Sequence, residues 1–470
     1  MPAIPFAPRL QSGRRNRSGT GAVAAAPLLG ATTPQAPRNT LDPDQQLGQV
    51  AEEEGWRVAN LTKDATVSAT VGSRRGGRRV RVLTDNATTM PATRRWDVVC
   101  RVVDNYGDAG VAWRLARQLA GECGKAVTLW IDDPAPLARM VPGVDPAGDT
   151  ELDGVRIRQG PDPAAEWVAP DVVVEAFGTG LPARWIDGMA GAVRPPAWIV
   201  LEYLSAETWV DDAHLRSSPE PRTGLVRRYW CPGFTPSAGG LLREAGLLAN
   251  RDAFLRDRSR RGTTLDALGV GAAAGTRVVL VFCYPSPALA DLFDAWADDD
   301  TPTVALVPAG VAVDALDRYT GGRLPTPGHP FARGALNIAS IPFVPQRGFD
   351  PLLWSCDRAI VRGEDSFVRA QWALVPFGWQ AYAQDGAAHL TKVDAFLDRY
   401  LAGAPPDAAH AVRAFHCALN RADGPALVAA WPAFDRAAAP LAPHRRAWSE
   451  RLAARADLAG SLTEYVDNLL

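Results

Sequence analysis

The sequence predicts an α/β protein of two successive Rossmann-like halves facing a central cleft, preceded by an N-terminal extension of different character. Three observations carry this prediction. Near-continuous β-branched runs alternate with segments of helical period, the pattern of a parallel sheet whose strands are buried on both faces. Several of these runs end in carboxylates or glycine, as happens where functional groups collect at the C-terminal ends of parallel strands. The alternation then restarts near residue 270, and 470 residues with 47% apolar side chains suffice for one large core or two medium ones.

Residues 1–89 are rich in Ala, Gly, Pro, Arg, Ser and Thr and hold no sustained strand or helix period, so they are expected to remain disordered or to be a spurious extension. Up to residue 95 the chain has 14 Lys/Arg and 7 Asp/Glu, which puts about +7 on the extension and about −9 on the remainder. The Arg- and Ser-rich composition imitates a transit peptide, but there is no apolar segment for secretion and Glu52 to Glu54 break the pattern. Met90 stands just before the first strand and is an alternative start.

From residue 90 to about 270 the elements follow in order. WDVVCRVV (Trp96 to Val103) reads as a strand buried on both faces, DNYGDAG (Asp104 to Gly110) as a turn, and VAWRLARQLAGE as a helix with Val111, Leu115 and Leu119 on one face. Strands are predicted at Val127 to Asp133, Val155 to Gln159, Asp171 to Gly178 and Ala197 to Ser205. A connector at Trp230 to Glu244 and a charged segment, Arg251 to Arg261, lead to the second half, 271–447. Strands are predicted there at Thr276 to Tyr284, Thr301 to Gly310, Leu336 to Val344 and Asp357 to Gly363, and Trp448 to Leu470 reads as a final helix that can return to the first half. By pattern alone, such a chain is either a GT-B arrangement or two tandem nucleotide-binding domains.

Composition excludes several classes. Fifty basic against fifty-two acidic residues provide no global cationic field for nucleic acid, and no apolar run reaches the ~18 residues of a membrane span. The six cysteines form no CxxC pair and the six histidines no HxxxH or HExxH, so neither a zinc site nor a redox motif is expected, and the cysteines read as reduced residues of a cytoplasmic protein. No GxGxxG follows the first strand, which counts against a Rossmann oxidoreductase.

The motifs WDVVCRVVDNYGDAGVAWRLARQLA, VVVEAFGTGLP, WIVLEYLSAETWV, PGFTPSAGGLLRE, LVFCYPSPALADLFDAW, PFVPQRGFDPLLWSCD and RGEDSFVRAQWA occur in this order from Trp96 onward. Together they closely resemble the elongation factor P arginine rhamnosyltransferases, EarP. The resemblance implies a GT-B glycosyltransferase fold and dTDP-β-L-rhamnose as donor; no cofactor is expected, and the absence of metal-ligand histidine spacing leads to no expected metal. The resemblance also implies inverting transfer to one arginine of elongation factor P. A non-catalytic nucleotide-sugar-binding or protein-binding relative is the alternative.

Such chemistry makes definite demands on the residues. A guanidinium stays protonated and its lone pairs are delocalised, so its glycosylation needs carboxylates that grip the fork and accept a proton. Asp104 and Asp108 of DNYGDAG stand at the mouth between a strand and a helix. The resemblance implicates both, with Asp108 favoured as general base; by themselves the residues fit equally a turn for Asp104 and a helix cap for Asp108. RGEDSFVRAQWA follows a strand and opens a helix, so its N–H groups, with Arg362 and Ser366, suit a diphosphate. Glu364 and Asp365 are the wrong charge beside a diphosphate and are expected to point elsewhere, toward sugar hydroxyls or developing positive charge. The resemblance assigns Glu364 an essential role, and Asp365 is expected among the donor-binding residues, while first-turn acids that only stabilise a helix are the alternative. Phe282, Tyr284, Phe343, Gln346 and Phe349 supply flat walls and an amide for a thymine, or else are simply core. Glu175, Glu202 and Glu207 rank second, for the acceptor side, and His389 reads as structural.

Overall fold

The computed structural model describes residues 93–160 and 167–470, so the expectations for residues 1–89 lie outside the described residues. Among the described residues two sheets dominate. The first contains β1 (Arg95–Cys100), β2 (Ala126–Ile131), β3 (Thr150–Leu152), β4 (Val155–Gln159), β5 (Val172–Ala176), β6 (Ala197–Leu201), β7 (Ser217–Pro219) and β8 (Val226–Trp230). Their order is β3-β4-β2-β1-β5-β6-β8-β7, with antiparallel β3 and β7 closing the two edges of a parallel interior. The second sheet, ordered β11-β12-β10-β9-β13-β14, uses β9 (Arg277–Val281), β10 (Thr303–Pro308), β11 (Phe331–Arg333), β12 (Leu336–Ile341), β13 (Arg358–Arg362) and β14 (Phe377–Gln380). In both, strand order reverses beside the first strand, between β1 and β5 and between β9 and β13. A doubly wound sheet opens its crevice at that point, beyond the carboxyl ends of the strands.

The β-branched runs form strands because both faces are covered. Trp96, Val98 and Cys100 of β1 point into one core with Leu129, Ile157, Val174 and Ile199. Val99 points to the other face, with Trp130, Val173, Trp198 and Trp185. Asp97 is buried on that second face, accepting hydrogen bonds from Trp130 Nε1 (2.9 Å) and Trp167 Nε1 (2.7 Å); burial lifts its carboxyl to about 6. The short or half-exposed strands β3, β7, β8 and β11 have no continuous apolar run, and FGWQ of β14 is brief, which is why the pattern did not predict them.

Three expectations change. Asp104 to Gly110 is not a turn throughout: helix Asn105–Gly121 already begins at Asn105, with Gly107 N and Asp108 N donating to Asp104 O (2.6 and 3.3 Å). The charged segment is no linker, since helices Leu247–Arg256 and Arg258–Ala267 give Leu247 and Leu265 to the second core, and packing passes between the cores before residue 270. The final helix is two, Ala442–Ala453 and Leu458–Leu469, because Asp457 leaves helical geometry and caps Gly460 N (3.0 Å) while Leu458 N donates to Leu241 O (2.9 Å). Leu458, Leu462 and Val466 then pack into the first core.

Candidate active site

Beyond β1 the chain crosses to helix Asn105–Gly121, and Asp108 holds the crossing in shape. Its Oδ2 accepts hydrogen bonds from Val103 N and Asp104 N, both 2.8 Å, and the Tyr203 hydroxyl approaches the same carboxylate. Asp108 is 2% exposed; burial raises its proton affinity, and the two backbone N–H groups only partly offset this. Asp108 therefore braces the loop before the helix instead of capping the first turn. Asp104 occupies the N-cap position but makes no cap hydrogen bond; its Oδ2 accepts the hydroxyl of Tyr284, from the second half, at 2.5 Å. Burial raises the Asp104 carboxyl, with Tyr284 and Arg362 opposing.

Gly363 makes that contact geometrically feasible. Its φ of +57° belongs to the left-handed region, and a Cβ there would stand 2.9 Å from the Tyr284 hydroxyl and 3.1 Å from Asp104 Oδ2. Next to it, the Arg362 guanidinium lies over the rings of Tyr284 (4.7 Å), Phe282 (5.1 Å) and Tyr106 (5.3 Å). Among the described residues it has no carboxylate within 4 Å and donates no side-chain hydrogen bond, so its fork is available to an anion. Ser366 Oγ accepts from Arg362 N (3.1 Å) and donates to Arg362 O (2.5 Å), tying the start of helix Asp365–Ala373 to the end of β13. That helix is a fixed platform: Phe367 stacks on Trp379 at 3.9 Å, and Trp372 Nε1 donates to Leu242 O (3.0 Å).

A cleft of about 470 Å³, its open mouth included, lies between these elements. Phe282, Phe343, Gln346, Phe349, Arg362, Asp365 and Ser366 line it from the second half and Asp104, Tyr106 and Met140 from the first. Phe282 and Phe349 meet at 5.5 Å between ring centroids, and Tyr106 and Phe343 at 4.7 Å. Gln346 Nε2 donates to Gly110 O (3.0 Å), while its buried Oε1 has no protein partner among the described residues. Aromatic walls, one unsatisfied amide oxygen and an unpaired guanidinium fit a base and an anion at the two ends of one ligand.

The two acids of RGEDS part company. Glu364 Oε2 accepts from Leu204 N (3.0 Å) and faces Asp104 and Asp108. Burial, reinforced by those like charges and opposed by Lys392, lifts its carboxyl to about 8, so it holds its proton at neutral pH. Asp365 turns to Arg114 of the first half, which grips it through Nε (2.8 Å) and Nη2 (3.1 Å). Of the second-ranked acids, Glu175 is a brace, accepting Gly180 N (2.7 Å) and Trp198 Nε1 (2.9 Å), and Glu207 accepts Ser205 Oγ (2.9 Å). Glu202 is raised by burial and neighbours Lys392. His389 lies between Gln384 N and Asn420 O, both 3.3 Å, and is structural. Sequence reasoning missed Tyr203, Lys392, Tyr106, Gly363 as a contact and Arg114. Only Tyr203, placed just past a buried strand, carried a signal. Among the described residues no group of three or more His, Cys, Asp or Glu side chains is arranged to hold a metal ion.

Two doubly wound sheets whose strand ends meet at one cleft, with an anion-ready guanidinium on one side and carboxylates from both, define a GT-B glycosyltransferase. Comparison with known proteins narrows the class. Residues 96–467 match the family described as Elongation-Factor P (EF-P) rhamnosyltransferase EarP, and the chain belongs to that family. It is 45% identical over 379 residues to a protein-arginine rhamnosyltransferase of Pseudomonas putida strain KT2440, covering 80% of this chain and 99% of that one. The Pseudomonas aeruginosa PAO1 protein of the same name is 43% identical over 372 residues, 79% of this chain and 98% of its own length. A solved structure described as the basis for EarP-mediated arginine glycosylation of translation elongation factor EF-P aligns with TM-score 0.58 and 34% identity, covering 80% of this chain and all of that one. No helix among the described residues is long and apolar enough to cross a membrane.

Proposed function

We propose that this chain transfers L-rhamnose from dTDP-β-L-rhamnose to a single arginine of elongation factor P, with inversion at the anomeric carbon, without a metal, and in the cytoplasm. The observation that carries the reading is the convergence of Asp104, Asp108 and Glu364 from both halves beside an unpaired Arg362, in a chain of the EarP family. In this division the first half receives the acceptor and the second holds the donor.

Phe282, Phe343 and Phe349 take the thymine and Gln346 offers it an amide, while Arg362 and the start of helix Asp365–Ala373 take the diphosphate. Asp104, facing the cleft and oriented by Tyr284, grips the incoming guanidinium. Asp108, whose proton affinity burial raises, receives the proton as the terminal nitrogen bonds the anomeric carbon and the bond from that carbon to the phosphate oxygen breaks, releasing dTDP. Glu364, protonated at neutral pH, adds no negative charge beside the diphosphate and can donate a hydrogen bond to the sugar or leaving group.

The test is the intact mass of elongation factor P co-expressed with and without this chain. One deoxyhexose on one arginine is expected; an unmodified acceptor beside a folded, dTDP-binding chain would favour the non-catalytic relative. Calorimetry with dTDP and UDP, each with and without EDTA, should show preference for dTDP and no effect of EDTA; the opposite result overturns the donor assignment.

A further inference from the structure

Asp365 lines the cleft at the first turn of the helix that would receive a diphosphate, yet its charge does not stand alone. Arg114, on the first half's helix Asn105–Gly121, is 1% exposed and does not line the cleft; both nitrogens of one edge of its fork bond Asp365 (2.8 and 3.1 Å). Its remaining terminal nitrogen bonds Glu244, which Arg117 (3.1 Å) and Arg369 (2.5 Å) also engage, and Arg369 Nε bonds Asp350 (2.7 Å). Three guanidinium groups face three carboxylates, so the buried network is neutral only while the two halves are docked. Were Arg114 withdrawn, Asp365 would keep only the neutral Gln346 Nε2 donor (3.3 Å) and present an uncompensated carboxylate to an incoming anion, and like charges repel.

We propose that Arg114 sets the affinity of the second half for the diphosphate by neutralising Asp365, so that tight donor binding requires docked halves and the donor in turn stabilises the docking. The reciprocity follows from linkage: whatever makes docking favour the donor makes the donor favour docking by the same factor. Arg114 acts through Asp365 and is a positioning residue. The proposal rests on the donor reading given above.

The test uses the full chain with two ligands that share the nucleoside and differ in the charged diphosphate, dTDP by calorimetry and neutral thymidine by ligand-observed NMR. Arg114→Met should weaken dTDP at least about tenfold, as like-charge juxtaposition does, and leave thymidine unchanged. Adding Asp365→Asn to Arg114→Met should bring dTDP back to within about threefold of the wild type, since the double variant is again neutral at this point. Equal loss of both ligands would reveal a merely structural role, and unchanged dTDP binding in Arg114→Met would overturn the proposal. Removing one partner of a buried pair can prevent folding; in that event the double variant, which removes both charges together, decides: dTDP within about threefold of the wild type supports the proposal, and a clear loss of dTDP with thymidine unchanged overturns it by making Asp365 a direct ligand. A wild-type chain that binds neither ligand refutes the donor reading itself, a separate outcome.

Discussion

The helices that follow β1 and β13 start alike. Each comes after a buried parallel strand, each has a glycine in or beside its first turn, and each carries two acids, Asp104 and Asp108 in one and Glu364 and Asp365 in the other. Their fates differ. Asp108 is bound by two backbone N–H groups, Asp104 by a tyrosine from the opposite half, Asp365 by a buried arginine from the opposite half, and Glu364 by one N–H group and little else. Environment separates them: Asp365 is held by a guanidinium partner, whereas burial among like charges lifts the Glu364 carboxyl to about 8. Identical local grammar thus produces a loop brace, a carboxylate bonded to a tyrosine, a salt-bridge partner and an acid of raised proton affinity.

The largest effect that could break this comparison is at Asp108. Asp108→Asn keeps the shape and removes the proton acceptor, and turnover should fall at least about a hundredfold with dTDP affinity unchanged. Turnover close to the wild type would reduce Asp108 to a brace and move the base to Asp104. On the opposite helix, Arg362→Lys replaces a planar fork stacked on three rings by a point charge, and dTDP affinity should drop about tenfold, the magnitude expected when a bidentate or stacked arginine is lost. Gly363→Ala tests the hinge between the two: a left-handed φ and a Cβ pressed on Tyr284 should cost about 1–3 kcal/mol and displace Tyr284 from Asp104, lowering turnover several-fold while the melting temperature shifts by a few degrees.

A finer test uses pH. The folded chain binds the Glu364 proton more tightly than the unfolded chain, so this residue's contribution to stability is complete below about pH 4.5 and is lost as the pH rises through about 8. The wild-type melting temperature should therefore decline across that window more steeply than that of Glu364→Gln; parallel profiles would show that Glu364 is ionised in the fold. The smallest effect concerns the extension. The Pseudomonas putida relative is covered over 99% of its length by only 80% of this chain, and the family match begins at residue 96. A chain beginning at Met90 should match the full chain in turnover and solubility, and loss of either would give the extension a role.

Much of the frame was legible because burial on both faces leaves a strong trace. VVVEA, RVVLV and TVALVP admit little except central parallel strands, and the RGEDS segment, after such a run and before a helical period, had to begin a helix. VRRYW of β8 did not show itself, since a near-edge strand with charged residues alternates too weakly to be told from a loop. The break at Asp457 was equally hidden, because it depends on Leu241, more than two hundred residues earlier.

Local sequence was enough for the main chemical groups of the cleft, though not for Tyr106 or Met140: carboxylates after β1 and β13, aromatics after β9 and β12, one arginine at the end of β13. Those placements follow from periodicity and from where parallel strands end, and both are local properties. Tertiary structure alone decided which group touches which. The 2.5 Å contact between Tyr284 and Asp104 and the Arg114–Asp365 pair span 180 and 251 residues. Protonation was settled at the same level, because a carboxyl's affinity for its proton depends on the water and charge within a few ångströms, and no local pattern records what folding brings there.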